Sequence, residues 1–280
     1  AYDAMLADQL EAEPDTYYRQ YMQGGIYSLI FGPDEIPEPR TIVPVVVVLP
    51  ETGHATSRRV DEAYPGVSPG AGRLLRLHVS GCKANPGHTH FDQGALVVEC
   101  DDQPMLIDRG IVRYDDARAN LLKGSAMHNV LTPVLEGEEY PDQALPRERP
   151  VIPEATGDEQ RFEATVDLAA VWPGYAERYE RHIVSEDVQA WLVRDVGQWT
   201  EAMPTAFHLH ALSPFQVAGD GKSATLTHAG VTLRIAAPWA AEVKHGEDLI
   251  DFAYRPVYHL IFQSPANESF DLTTTFTRES

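Results

Sequence analysis

From Thr41 onward the chain is a succession of short runs rich in Val, Ile, Leu, Phe and Thr, punctuated by Gly, Pro, Asn and Asp. Such runs fall at 45–48, 74–79, 95–100, 130–134, 162–168, 189–195, 207–210, 224–227, 231–235, 258–262 and 270–276. Each is too short for a typical helix, and its branched and aromatic side chains suit a pleated, half-buried surface. Turn signals such as Gly219-Asp220-Gly221 and Ala229-Gly230 lie between the later runs, with no helical pattern interleaved. A parallel sheet needs crossover helices, so this pattern predicts a mainly β chain built as a large antiparallel β-sandwich.

Residues 1–32 read differently. Ala4, Met5, Leu6 and Leu10 form one apolar cluster, and Pro14-Asp15 starts a second segment carrying Tyr17, Tyr18, Tyr21, Met22 and Ile26, which predicts a short helical segment. Residues 33–44 follow as an acidic connector with Pro33, Pro37 and Pro39, so a domain boundary is expected there and the sandwich occupies 45–280. A second proline-rich stretch, 135–158, reads as a long surface excursion that either borders a cleft or is a solvated loop.

Forty-two acidic against 22 basic residues give a formal charge of −20. That balance argues against nucleic acid and anionic membrane as partners. It does not exclude an anionic ligand inside a cleft, because surface fields are screened over roughly 8 Å in physiological salt. No apolar run reaches the ~18 residues of a membrane span, and the first residues lack the basic-then-apolar order of a signal peptide. Cys82 and Cys100 are too few for a disulfide framework and are expected as buried small hydrophobes, a single bridge between them staying open.

Chemistry concentrates between Gly87 and Asn129. Gly87-His88-Thr89-His90-Phe91-Asp92 precedes the apolar run at 95–100, the turn Asp101-Asp102-Gln103-Pro104, and the returning Met105-Leu106-Ile107-Asp108. A hairpin of this kind carries Asp108 back toward the two histidines. In an extended segment His88 and His90 would share a face, presenting two imidazoles together. His128, in Met127-His128-Asn129, supplies a third imidazole, and His/Asp donors of this kind suit zinc.

The order Gly-His-x-His-x-Asp, hairpin, Leu106 to Gly110, then Ser125 to Asn129 resembles the C-terminal half of the heparinase II/III-like polysaccharide lyases. Leu49-Pro50-Glu51-Thr52-Gly53, Tyr179-Glu180-Arg181-His182 and Phe207-His208-Leu209 fit the same resemblance. It implies a structural zinc on His90, Asp108 and His128, with His88 in the catalytic cleft and Tyr114 as a second cleft residue. It also implies β-elimination on a uronic-acid-containing glycan, an acidic polysaccharide or oligosaccharide partner, and a periplasmic or secreted setting; a homodimer is a separate expectation. The helical segment would be the end of an α/α toroid that supplies a further Tyr and His, so the chain is expected either to be part of a longer product or to be a shortened member. Arg109 departs from the Pro or Ser of many relatives, and Gly87 stands where some carry an Asn that helps neutralise the substrate carboxylate.

Other readings compete. A non-catalytic carbohydrate-binding sandwich with a structural metal is the main alternative. A cupin is disfavoured because Gly94 and Ala95 stand where its glutamate belongs. His208 and His210 alternate along a strand but lack a nearby acid and third ligand.

Overall fold

The structure, a computed structural model, describes residues 45–61, 73–84, 87–246 and 248–279. The expected helical segment and connector therefore lie outside the described residues. β1 (Val45–Leu49), β2 (His54–Val60), β3 (Leu74–Ser80), β4 (Leu96–Cys100) and β5 (Gln103–Leu106) pair in sequence order as an antiparallel meander. They are followed by β6 (Leu131–Pro133), β7 (Glu154–Gly157), β8 (Phe162–Asp167), β9 (Ala176–Ser185), β10 (Ala190–Met203), β11 (Thr205–Ala211) and β12 (Phe215–Val217). The chain ends with β13 (Ser223–His228), β14 (Val231–Ala236), β15 (Glu242–His245), β16 (Leu249–Ile250), β17 (Pro256–Gln263) and β18 (Asn267–Glu279). A second sheet runs β12-β13-β14-β18-β10-β9-β8-β7, and a third runs β15-β17-β11-β6 with β16 against β17. The fold is the expected antiparallel sandwich.

One continuous core joins the sheets, with Leu75, Leu77, Leu96 and Val98 of the first packed with Phe162, Ile183, Val193 and Phe276 of the second and Phe207, Leu209 and Leu260 of the third. Within it Trp191 and Phe276, directly opposed on β10 and β18, stack with ring centroids 5.3 Å apart. Gly197 opposes Phe270 in the same ladder, and a Cβ there would lie 2.4 Å from the Phe270 ring. The ring thus crosses the strand where glycine leaves room, and reaches Trp199 at 4.8 Å and Tyr179 at 5.5 Å.

Several strands escape the apolar pattern. β2 alternates in burial, but its inward residues are Ala55, Ser57 and Arg59. Arg59 is tolerated inside because its guanidinium bonds Ser57, Gln160 and Ser185, with burial pulling its pKa down to about 10. β9 likewise turns Tyr179, Arg181 and Ile183 inward.

The β4–β5 hairpin turns on Asp101 and Asp102, with φ of 51° and 60° between the paired Cys100 and Gln103, the two-residue turn whose twist matches antiparallel strands. Asp101 also accepts the Leu74 amide at 2.7 Å, tying the turn to β3. Both cysteines are buried and unbridged, and burial drives the Cys100 thiol up to about 12.

Candidate metal centre and active site

The donor atoms of His90, Asp108 and His128 all lie within 4.8 Å of one another, close enough for modest side-chain rotation to bring the three onto one cation. Asp108 leaves the end of β5, where the Ile107 amide is bonded to the His210 carbonyl of β11 at 3.0 Å, so the carboxylate is fixed where two sheets meet. Its Oδ2 lies 2.7 Å from Nδ1 of the fully buried His128, and its Oδ1 accepts the Gly110 amide at 2.6 Å. Burial pushes the Asp108 carboxyl up, but the His128 hydrogen bond and charge outweigh it and hold the group down at about 2. Burial pushes His128 down, and the same carboxylate outweighs that and raises it. The His90 ring sits 5.2 Å from that of His128, and its pKa is lowered by burial and by His128.

The donor set fits a cation. Nε2 of His128 is buried with no hydrogen-bond partner among the described residues, the kind of orphaned polar atom that a bound ion satisfies. Two imidazoles and one carboxylate are borderline N/O donors suited to zinc, which they hold at roughly 2.0–2.2 Å.

A set of long-range hydrogen bonds holds the segments that carry these three side chains. Gln93, just after the His90 turn, exchanges two bonds of 2.8 Å with Gln143, and its side chain reaches back to the His90 carbonyl at 3.1 Å. Asp142 accepts the Ser125 amide at 2.8 Å, and the Ser125 hydroxyl accepts the Gln143 amide at 2.9 Å. The excursion at 135–158 is therefore not simply solvated: Asp142 and Gln143 clamp the His90 turn to the short turn preceding His128. Asn129 donates to the carbonyls of Leu96 and Ile107 at 2.8 and 3.0 Å, and its Oδ1 accepts the His210 amide at 2.8 Å.

His88 stands apart from this cluster. The segment Gly87–Asp92 is not a strand: His88 has a φ of 56°, and regular pairing starts at Leu96. The expectation that His88 and His90 share a strand face is thus corrected, because the left-handed backbone at His88 breaks the two-residue alternation. His90 faces His128, whereas Nδ1 of the exposed His88 lies 3.1 Å from the hydroxyl of the exposed Tyr114. A groove of about 310 Å³ opens here, lined by His88, His90 and Asp92 together with Thr52, His54 and Lys83. Burial raises the Asp92 carboxyl. Lys83 and His54 have no motif around them, and only their meeting in space marks them.

His208 and His210 prove to be core residues. His208 bonds Thr132 at 2.9 Å and His259 at 3.0 Å, and the His210 ring stacks on His259 at 4.2 Å. No carboxylate joins them in a metal-ligand group among the described residues.

A family model described as "Heparinase II/III-like, C-terminal" matches residues 71–271. The chain belongs to this family. No curated protein sequence matches it. Among solved structures it is similar to heparan sulfate lyase HepC from Pedobacter heparinus, with a TM-score of 0.71 at 12% identity over 94% of this chain and 42% of that one. Two heparinase III structures are also similar, one with a TM-score of 0.68 at 10% identity over 97% of this chain and 41% of that one, the other with 0.64 at 14% over 94% and 42%. At such identities the likeness is one of fold. The chain spans about two fifths of the length of these solved chains.

Within this heparinase II/III-like sandwich, the segment Tyr179-Glu180-Arg181-His182 is a structural hub. Arg181 is fully buried, pairs with Asp195 through two bonds of 2.7 and 3.0 Å, and donates to the carbonyls of Gly94 and Asn129 at 2.8 and 3.1 Å. One guanidinium thereby braces the chain on both sides of the candidate metal centre, just after the His90 turn and just after His128. Tyr179 donates to the same carboxylate at 2.7 Å.

Proposed function

We propose that this chain is the sandwich portion of a polysaccharide lyase that cleaves a uronic-acid-containing glycan by β-elimination, with a structural zinc on His90, Asp108 and His128. The observation that carries the reading is the side-by-side placement of that ligand set and the hydrogen-bonded His88–Tyr114 pair, in a chain of this family whose structural neighbours are named as heparan sulfate lyase and heparinase III. An acidic polysaccharide is the expected substrate for the same reason.

Elimination removes the C5 proton of the uronate to a base, the freed electron pair forms the C4–C5 double bond, and the C4–O4 bond breaks while O4 takes a proton from an acid; water is not consumed. His88 and Tyr114 are side chains able to accept and donate protons, and both are exposed where a polymer can reach them. When bound, the zinc would supply rigidity by binding the His90 turn, the end of β5 and the His128 turn at one point. His88, two residues from His90, would then be held in its left-handed conformation by a fixed neighbour.

Because the chain spans about two fifths of its solved relatives, further catalytic groups are expected from sequence beyond it, and the chain by itself should turn over slowly. The test is the ultraviolet absorbance of unsaturated uronate products from alginate, heparan sulfate and hyaluronan, using the chain within its full-length parent. Product from one of them that is abolished in His88→Ala supports the reading. Parent protein that is folded and zinc-loaded yet inert on all uronate glycans favours the carbohydrate-binding alternative.

A further inference from the structure

Proton abstraction at C5 requires the adjacent C6 carboxylate to be neutralised, because a second negative charge developing beside an uncompensated carboxylate is strongly disfavoured. The chain carries a formal charge of −20, so an anionic ligand needs a local cationic contact. In the groove beside His88, Lys83 is the one permanent cation among the described lining residues. No carboxylate lies within ion-pair distance of Lys83 among the described residues, so its charge is not already committed.

The backbone beneath Lys83 is fixed. Cys82 exchanges two backbone bonds of 2.7 Å with Val151. Gly53 approaches so closely that a Cβ there would lie 2.5 Å from the Cys82 amide nitrogen. Two segments therefore converge at Cys82: the β1–β2 connection, with Thr52 in the turn and His54 at the start of β2, and the strand exit carrying Lys83. Both feed side chains into the groove that His88 and His90 line.

We propose that Lys83 is the residue that recognises the uronate carboxylate in this groove, its ammonium receiving the C6 carboxylate of the sugar whose C5 proton faces His88. The inference rests on the lyase reading above and adds to it a named determinant of anion specificity. Lys83 is exposed, so its replacement should leave the fold intact.

The test is calorimetric binding of an unsulfated glucuronate-containing oligosaccharide, and of the same oligosaccharide with its carboxyls reduced to alcohols, to wild type, Lys83→Gln and Lys83→Arg. The expected result is a loss of about tenfold for Lys83→Gln on the carboxylated ligand, the scale of one charge-assisted hydrogen bond. Salt dependence should become shallower, affinity for the reduced ligand should not move, and Lys83→Arg should retain most of the binding. Equal weakening of both ligands, or no weakening of either, overturns the assignment while leaving the lyase reading intact. A wild type that binds neither this ligand pair nor the corresponding pair made from alginate oligosaccharides removes the lyase reading and this assignment with it. A carboxyl-reduced but sulfated oligosaccharide that loses as much affinity would assign Lys83 to sulfate and overturn the carboxylate role.

Discussion

Arg181 and Asp195 face each other directly across β9 and β10 as a fully buried two-pronged ion pair, and the remaining guanidinium nitrogen holds the carbonyls of Gly94 and Asn129. Removing one partner leaves an uncompensated buried charge and releases both braces of the candidate metal centre. We expect Arg181→Met to cost about 3–5 kcal/mol in denaturant unfolding. Arg181→Lys should rescue little, because one ammonium cannot reproduce a planar fork serving three acceptors. A loss below about 1 kcal/mol for Arg181→Met would show that the pair is dispensable.

The same substitution should give opposite results at two glycines. At Gly197 an added Cβ meets the Phe270 ring at 2.4 Å, whereas at Gly87 nothing among the described residues lies within 4 Å. Gly197→Ala must displace a ring packed on Trp199 and Tyr179, and we expect it to cost about 1–3 kcal/mol or more. Gly87→Ala should be neutral, or stabilising by about 0.5 kcal/mol through the unfolded chain. Thermal melts of the two variants side by side provide the measurement, and equal shifts would contradict the packing argument.

Stability should fall in mild acid because of the histidines behind the site. Burial, then Arg109, pulls His208 down to about 3, and burial, then His208 and Arg109, pulls His259 down to about 2. The ordinary value is about 6.5, so below that pH the unfolded chain binds protons that the native core refuses. Stability thus rises with pH between these folded values and about 6.5, and is lost as pH falls through that window, by about 1.4 kcal/mol per pH unit for each histidine. His259→Gln should flatten the slope of stability against pH by one proton between pH 4 and 6, read from denaturant melts at each pH. An unchanged slope would mean His259 is not carried neutral in the fold.

How much was legible in the sequence follows from what each face buries. The runs at 74–79, 95–100 and 270–276 declare β3, β4 and β18 because their inward residues are apolar. β2 and β9 hide because their inward faces carry Arg59 and Arg181, whose partners Ser185 and Asp195 lie far along the chain or on another strand. Residue type and hairpin order mark His88, His90, Asp108 and His128 as candidate donors, and it is the family resemblance that selects His90, Asp108 and His128, the three whose donor atoms lie within 4.8 Å of one another. The conformation at 87–92 was not, since nothing local announces a left-handed histidine followed by a turn tied to Gln143. Gln143 and Asp142 act through contacts many residues away, and Lys83 meets Thr52 and His54 only in the folded groove, for which one sequence has no short-range signal.

The central claim is that two histidines separated by one residue have different tasks, His90 facing His128 and Asp108 while His88 faces Tyr114. Its most direct test is zinc content per chain, after dialysis, in wild type, His90→Ala and His88→Ala. We expect one zinc per chain in wild type, loss of that zinc with a lowered melting temperature insensitive to added metal in His90→Ala, and full zinc with a near wild-type melt in His88→Ala. Loss of zinc from His88→Ala as complete as from His90→Ala, or no zinc in carefully purified wild type, would contradict the account.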